Sequence, residues 1–225
     1  VVFKTSAWGN YCGVANVGIN ASMIKCPTAG VFLHEWGHNF GLSHANFWIP
    51  TTDSPIGAGT HQEYGSKYSV MGAANLNAFN SFERLKITWL APADVVTVNS
   101  NAGTYRIYNA DKPTLNATHP YGLRIYKDNL VYNVEYRPNW DPAATHFSTN
   151  NGALILWSQG TELLDMNPLT AAGNGDAPLL VGRSFHDSAQ GLTVTPIAIG
   201  GTAPDNYMDL VVNFTNPVAN SAPVA

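Results

Sequence analysis

The sequence predicts an α+β fold: a smaller part with two helices, followed by a larger all-β part. Three observations predict it. Apolar residues recur at three- and four-residue steps over two N-terminal stretches. After about residue 95 the chain becomes a series of short runs that alternate apolar and polar residues between turn residues. Charged residues make up only 12% of the 225, so Gly, Pro, Ser, Thr and Asn supply most of the polarity, a mix that suits a loop-rich β protein outside the cell.

The elements follow in chain order. Val1, Val2 and Phe3 read as a strand end, and the segment from Gly13 to Gly18 alternates between glycines as an edge strand or hairpin does. Pro27 and Thr28 form a helix-start signal with Thr28 as the cap. That helix should run to about Gly41, with Leu33, Trp36 and Phe40 on an apolar face. Gly41 can end it in a left-handed conformation. Residues 45–75 carry Pro50, Pro55 and four glycines and read mostly as loop. A second helix is expected over 78–90, with Phe79, Phe82, Leu85 and Trp89 on one face and Pro92 limiting it. Six alternating runs, 104–108, 123–126, 131–137, 153–157, 192–199 and 208–214, then predict a β-sandwich. Residues 216–225 lack a core face and read as a tail or linker. The division is therefore 1–94, then a sandwich over 95–216, then a flexible tail or linker over 217–225.

Charge and length exclude several classes. The net charge is -4 with no Lys/Arg cluster, so a nucleic-acid partner has no electrostatic footprint. No apolar run approaches the ~20 residues that span a bilayer. The chain starts at Val1 rather than Met, which predicts a processed or excised segment. The only cysteines are Cys12 and Cys26. Two close cysteines suggest one disulfide and an oxidising compartment, with two unrelated buried thiols as the alternative. A secreted, extracellular location is the expectation.

Residues 34–44 carry the chemistry. Residues four apart on a helix share a face, so His34 and His38 can aim both imidazoles at one ion. Zn–N bonds of about 2.0–2.1 Å demand such convergence. Glu35 follows the first ligand and sits near the metal without binding it. Gly41 permits a sharp turn that returns His44 as the third ligand. Three protein ligands leave a fourth position open for water, the pattern of a catalytic rather than a structural zinc. A structural site would need a fourth side-chain ligand and would leave Glu35 without a role.

This His34-Glu35-x-x-His38-x-x-Gly41-x-x-His44 run resembles the metzincin signature, and Tyr68-Ser69-Val70-Met71-Gly72 resembles the methionine turn that follows it. Within that group the chain is most similar to the gametolysin-like peptidases and their bacterial relatives. The shared features are His44-Ala45, the Tyr-x-Val-Met-Gly turn and Thr88-Trp89-Leu90, with weaker likeness at 163–168 and 180–185. The resemblance is strong over 12–90. It departs from the astacin-like and serralysin-like enzymes, which place a tyrosine two residues after the methionine; here that position is Ala73.

The resemblance implies a secreted zinc endopeptidase acting on extracellular or cell-wall proteins. Met71 would form an apolar floor under the ligands. The zinc would lower the pKa of a bound water to about 7, and Glu35 would accept its proton during attack on the scissile carbonyl. His61, Tyr64 and Tyr68 are candidates for a second oxyanion donor, each equally readable as an ordinary loop residue. Similar domains build a twisted sheet and a backing helix before the zinc helix. Only 33 residues precede His34, room for two or three strands of ~5–6 residues but no backing helix. This predicts a further N-terminal segment outside the chain, or else a sandwich that packs over the gap.

Other features read as structural. His119, His146 and His186 lack ligand spacing. Asp165, Asp176 and Asp187 could bind calcium through oxygen, but capping and turn roles fit their Gly/Pro/Asn context better. The competing function is a non-catalytic adhesion or substrate-binding module that keeps a metallopeptidase remnant. The intact Glu35 argues against it.

Overall fold

In the computed structural model, which describes residues 2–3, 11–73, 78–111, 115–116, 118–139 and 147–215, the chain opens with a three-stranded sheet. Its strands are β1 (Val2–Phe3), β2 (Gly13–Ala15) and β3 (Ser22–Ile24), in the order β1-β3-β2. The β2–β3 pair is the expected hairpin, with Val14 opposite Met23. A Cys12–Cys26 disulfide closes it. A cross-link over a loop of about 15 residues is worth ~3 kcal/mol in the chain-entropy model.

Helix α1 (Ala29–Asn39) packs across β2 and β3. Thr28 caps it by accepting the Val31 N–H at 3.3 Å. Gly41 ends it at φ +93°, with Gly41 N–H bonded to His38 O and Leu42 N–H to Gly37 O. That is the Schellman arrangement, and it satisfies carbonyls the helix end would leave unpaired. The expected apolar face is corrected. Leu33 packs inward against Leu42, Val70, Met71 and Phe79, but Trp36 and Phe40 are exposed, and the buried residues of α1 are Glu35, Gly37 and His38.

The region expected to be mostly loop holds a hairpin, β4 (Asn46–Pro50) and β5 (Gly59–Gln62). The strand character of Phe47-Trp48-Ile49 is completed by a parallel partner from far along the chain, which local sequence does not reveal. The second helix is also shorter than expected: α2 covers Ser81–Lys86. Asn80 starts it, accepting from Phe82 N–H and Glu83 N–H while Glu83 returns a bond to Asn80 N–H. This capping box fixes the start after Phe79. The left-handed Thr88, at φ +63°, ends the run before Trp89, which is exposed.

The remaining strands are β6 (Val96–Val98), β7 (Gly103–Tyr108), β8 (Leu123–Lys127), β9 (Leu130–Tyr136), β10 (Gly152–Trp157), β11 (Glu162–Leu164), β12 (Leu179–Leu180), β13 (Phe185–Asp187), β14 (Leu192–Gly200) and β15 (Tyr207–Phe214), with a short helix α3 (Phe147–Asn151) before β10. All six alternating runs of the sequence lie on strands. The larger sheet runs β5-β4-β11-β10-β9-β8-β6, with β12 also on β10; the smaller runs β13-β14-β15-β7. Strands β4 and β5, from before residue 95, are thus hydrogen-bonded into a sheet built mainly from later residues.

The two sheets face each other across Ile107, Ile125, Val134, Ile155, Val194 and Leu210. Side chains alternate along β10. Ile155 enters this core, while Leu154 and Leu156 point the other way and pack with Phe47, Tyr68 and Phe82. The larger sheet is therefore a middle layer, with the smaller sheet on one face and α2 with the loop holding Tyr68 on the other. The fold is mixed α+β and mostly sheet. No helix among the described residues is long and apolar enough to cross a membrane. The predicted tail over 217–225 and His146 lie outside the described residues.

Candidate metal centre

His34 and His38 sit one turn apart on α1, and the Gly41 turn delivers His44 just before β4. Their ligand atoms lie within 4.8 Å of one another. The Nε2 atoms of His34 and His44 are each 3.1 Å from His38 Nε2.

The outer nitrogens explain the arrangement. His34 Nδ1 bonds to Val70 O at 2.8 Å, His38 Nδ1 to Leu42 O at 2.9 Å and His44 Nδ1 to Glu63 Oε1 at 2.6 Å. Carbonyl and carboxylate oxygens only accept, so each Nδ1 carries the hydrogen. In the neutral rings every Nε2 is then a bare lone pair. Three lone pairs facing one another repel, and a cation between them removes the conflict. Burial holds the His34 and His38 pKa values down, which keeps both rings neutral and able to ligate. The donor set fits a divalent metal ion of zinc type, with a carbonyl or carboxylate behind each imidazole. Among the described residues, His34, His38 and His44 could together hold a metal ion.

Glu35 lies on the same helix, buried and close against β2. A Cβ on Gly13 would come within 2.4 Å of its Oε1, so the carboxylate can lie where it does only with glycine on the strand. Burial pushes the Glu35 carboxyl up to about 7. Among the described residues no hydrogen bond or ion pair ties it down.

Met71 is fully buried beneath the helix, and a Cβ on Gly37 would strike its Sδ at 2.3 Å. Its carbonyl accepts from Ala45 N–H, which ties the 68–72 turn to the strand after His44. Behind that turn lies a buried ionic group. Ser69 Oγ donates to Glu83 Oε2 at 2.6 Å, and Arg137 donates to the Tyr68 carbonyl while pairing with Asp111 at 2.6 Å.

The three candidate oxyanion donors are in different places. Tyr64 lies tilted against His44 with centroids 3.7 Å apart and stacks on His34 at 5.7 Å. It sits at φ +61°, held by Asn46 Oδ1 accepting its N–H. His61 is turned toward Glu162 at 3.0 Å. Tyr68 is buried, with its hydroxyl on Asn174 O. The structure thus brings Tyr64, and not the other two, against the histidines.

Among the residues read as structural, His119 stacks on Tyr108 at 3.7 Å and His186 meets Thr193. Asp165 accepts from Asn167 N–H, Asp176 from Thr170, and Asp187 from the Tyr132 hydroxyl at 2.6 Å. The sequence reading missed Glu63, Gly13 and the carbonyls of Leu42 and Val70. A carboxylate just before Tyr64 was visible, but nothing in its spacing linked it to His44. No protein-family model, curated protein or solved structure matches the chain.

Proposed function

We propose that this chain is a secreted zinc endopeptidase of metzincin type, similar to the gametolysin-like enzymes. The observation that carries the reading is the convergence of three bare Nε2 lone pairs beside a buried carboxylate with no hydrogen-bond or ion-pair partner among the described residues. When bound, zinc supplies a Lewis acid and lowers the pKa of water to about 7. The protein does the rest. Glu35 has a carboxyl near 7, so at neutral pH it can take a proton at its carboxylate and later release it to a leaving amine. Gly13 gives that carboxylate room to lie against β2. Burial holds the Tyr64 phenol pKa up, so its hydroxyl stays protonated and can donate to a developing oxyanion. The disulfide is consistent with export to an oxidising compartment.

The test is Glu35→Gln. Zinc content by elemental analysis should stay stoichiometric while casein hydrolysis falls by about 10²–10⁴-fold or more, the usual worth of general-base assistance. A zinc-loaded variant with activity near wild type would end the assignment of Glu35. A wild-type protein that binds zinc and cleaves nothing would favour a binding module.

A further inference from the structure

A second concave site lies away from the histidine rings, between α2, the loop after Leu42 and strands β8 and β9. It is a cavity of about 730 Å³, within the ~300–1,000 Å³ typical of small-molecule sites. Leu42, Phe82 and Leu85 give it an apolar wall. Lys86 and Arg124 reach the same space, and among the described residues neither forms an ion pair. Arg124 is half-buried; its Nε donates to Asn133 Oδ1 at 3.3 Å and its guanidinium lies 5.8 Å over the Phe82 ring. Glu83 also reaches the wall, with its Oε2 occupied by Ser69 and the Asn80 N–H.

Asn133 holds Arg124 from within the sheet. It is completely buried, and its Nδ2 has no hydrogen-bond partner among the described residues. A buried amide N–H left unmade costs about 1–3 kcal/mol. That nitrogen lies under Gly160, a residue of the cavity wall, where a Cβ would come within 3.2 Å of it. Phe82 Cβ lies 3.0 Å from the same point, so the amide is closed off from the cavity. Two cations with no ion pair among the described residues, above an apolar wall, define the ligand.

We propose that this cavity binds an organic carboxylate with an apolar body. The carboxylate lies between Arg124 and Lys86, and the apolar part lies on Leu42, Phe82 and Leu85. Two sources share that chemistry: the C-terminus of a peptide ending in an apolar residue, and a short fatty acid. None of the three histidines lines the cavity, although Leu42 joins it to the metal centre through its carbonyl on His38 Nδ1, and the proposal does not depend on the peptidase reading.

Calorimetric titration of the full chain with N-acetyl-leucine, N-acetyl-leucinamide and hexanoate tests it, with and without chelator, because carboxylates also ligate zinc. The acids should bind and the amide should bind about tenfold or more weakly, since a hydrogen bond to a charged group is at stake. Arg124→Met and Lys86→Met should each weaken the acids by a similar factor, and chelation should leave binding unchanged. Preference for N-acetyl-leucine assigns peptide C-termini, and preference for hexanoate assigns fatty acids; either supports the site. Equal binding of acid and amide, no effect of Arg124→Met, or loss of binding on chelation would overturn it.

Discussion

The histidine-bearing helix and the sandwich bury opposite kinds of residue. Between the two sheets, Ile155, Val194 and Leu210 are fully enclosed, and the buried Asp187 beside them is matched by the Tyr132 hydroxyl. On α1 the pattern is inverted: Trp36 is 44% exposed and Phe40 56%, while Glu35 is 5% and His38 7%. An exposed apolar residue alone says little, but a buried polar one without a partner demands a reason. Side by side, the sandwich is organised by the hydrophobic effect and α1 by what its polar face must hold. Substitutions should therefore separate the two regions cleanly.

The largest effects should fall in opposite assays. His38→Ala removes one of three lone pairs and should abolish both metal retention and cleavage, while the unfolding midpoint of the metal-free protein changes little. Leu210→Ala, deep between the sheets, should lose 2–5 kcal/mol of stability in urea. At temperatures where it stays folded it should keep its metal. If Leu210→Ala releases metal from the folded protein, the regions are not separable.

A second effect lies in the ionic group behind the 68–72 turn. Burial first of all pushes the Glu83 carboxyl up to about 7, and Glu135 adds to this against the pull of Ser69, Asn80 and Arg137. The folded state therefore holds this proton more tightly than the unfolded chain, whose ordinary value is 4.5. The contribution is fully present below that ordinary value and is lost as pH rises through about 7. The limiting slope is about 1.4 kcal/mol per pH unit. Glu83→Gln keeps an acceptor for Ser69 and Asn80 but does not titrate. Urea midpoints measured across this window should fall less steeply for the variant, and identical slopes would remove Glu83 from the account.

A smaller effect concerns Glu63, which orients His44. Glu63→Gln should weaken metal affinity by about 10–100-fold, the usual cost of losing such support, with stability unchanged. Competition with a chelating dye measures this directly, and wild-type affinity would make the 2.6 Å contact incidental. The smallest effect should come from the exposed side of α1. Trp36→Ser should change stability by less than about 0.5 kcal/mol, as surface substitutions usually do. A loss of several kcal/mol would mean that Trp36 is covered in solution.

Much of the site could be read from the sequence because its rules are local. The four-residue step of His34 and His38, the Thr28 cap and the Gly41 turn all lie within one short segment, and the structure builds each as its chemistry requires. The sandwich strands were equally legible, because period-two alternation is local too. What could not be read depends on distant partners. Strand β4 exists because β11 pairs with it, and Glu63 matters because the β4–β5 hairpin carries it back to His44. The apolar spacing of Leu33, Trp36 and Phe40 misled for the same reason. A helix pattern gives a stripe, and only tertiary structure says which side faces inward.

The missing Cβ at Gly13 has a consequence for how such chains are classified. The space taken by the Glu35 carboxylate belongs to a strand that no metal-site signature includes. A homologue could keep every histidine and the glutamate, replace that one glycine, and still hold its ion while the carboxylate is pushed aside. A motif search would list it among hydrolases; at the bench it would be a metal-binding protein with no turnover. On the proposed reading, whether such a chain turns over a substrate is written partly in a residue that carries no side chain.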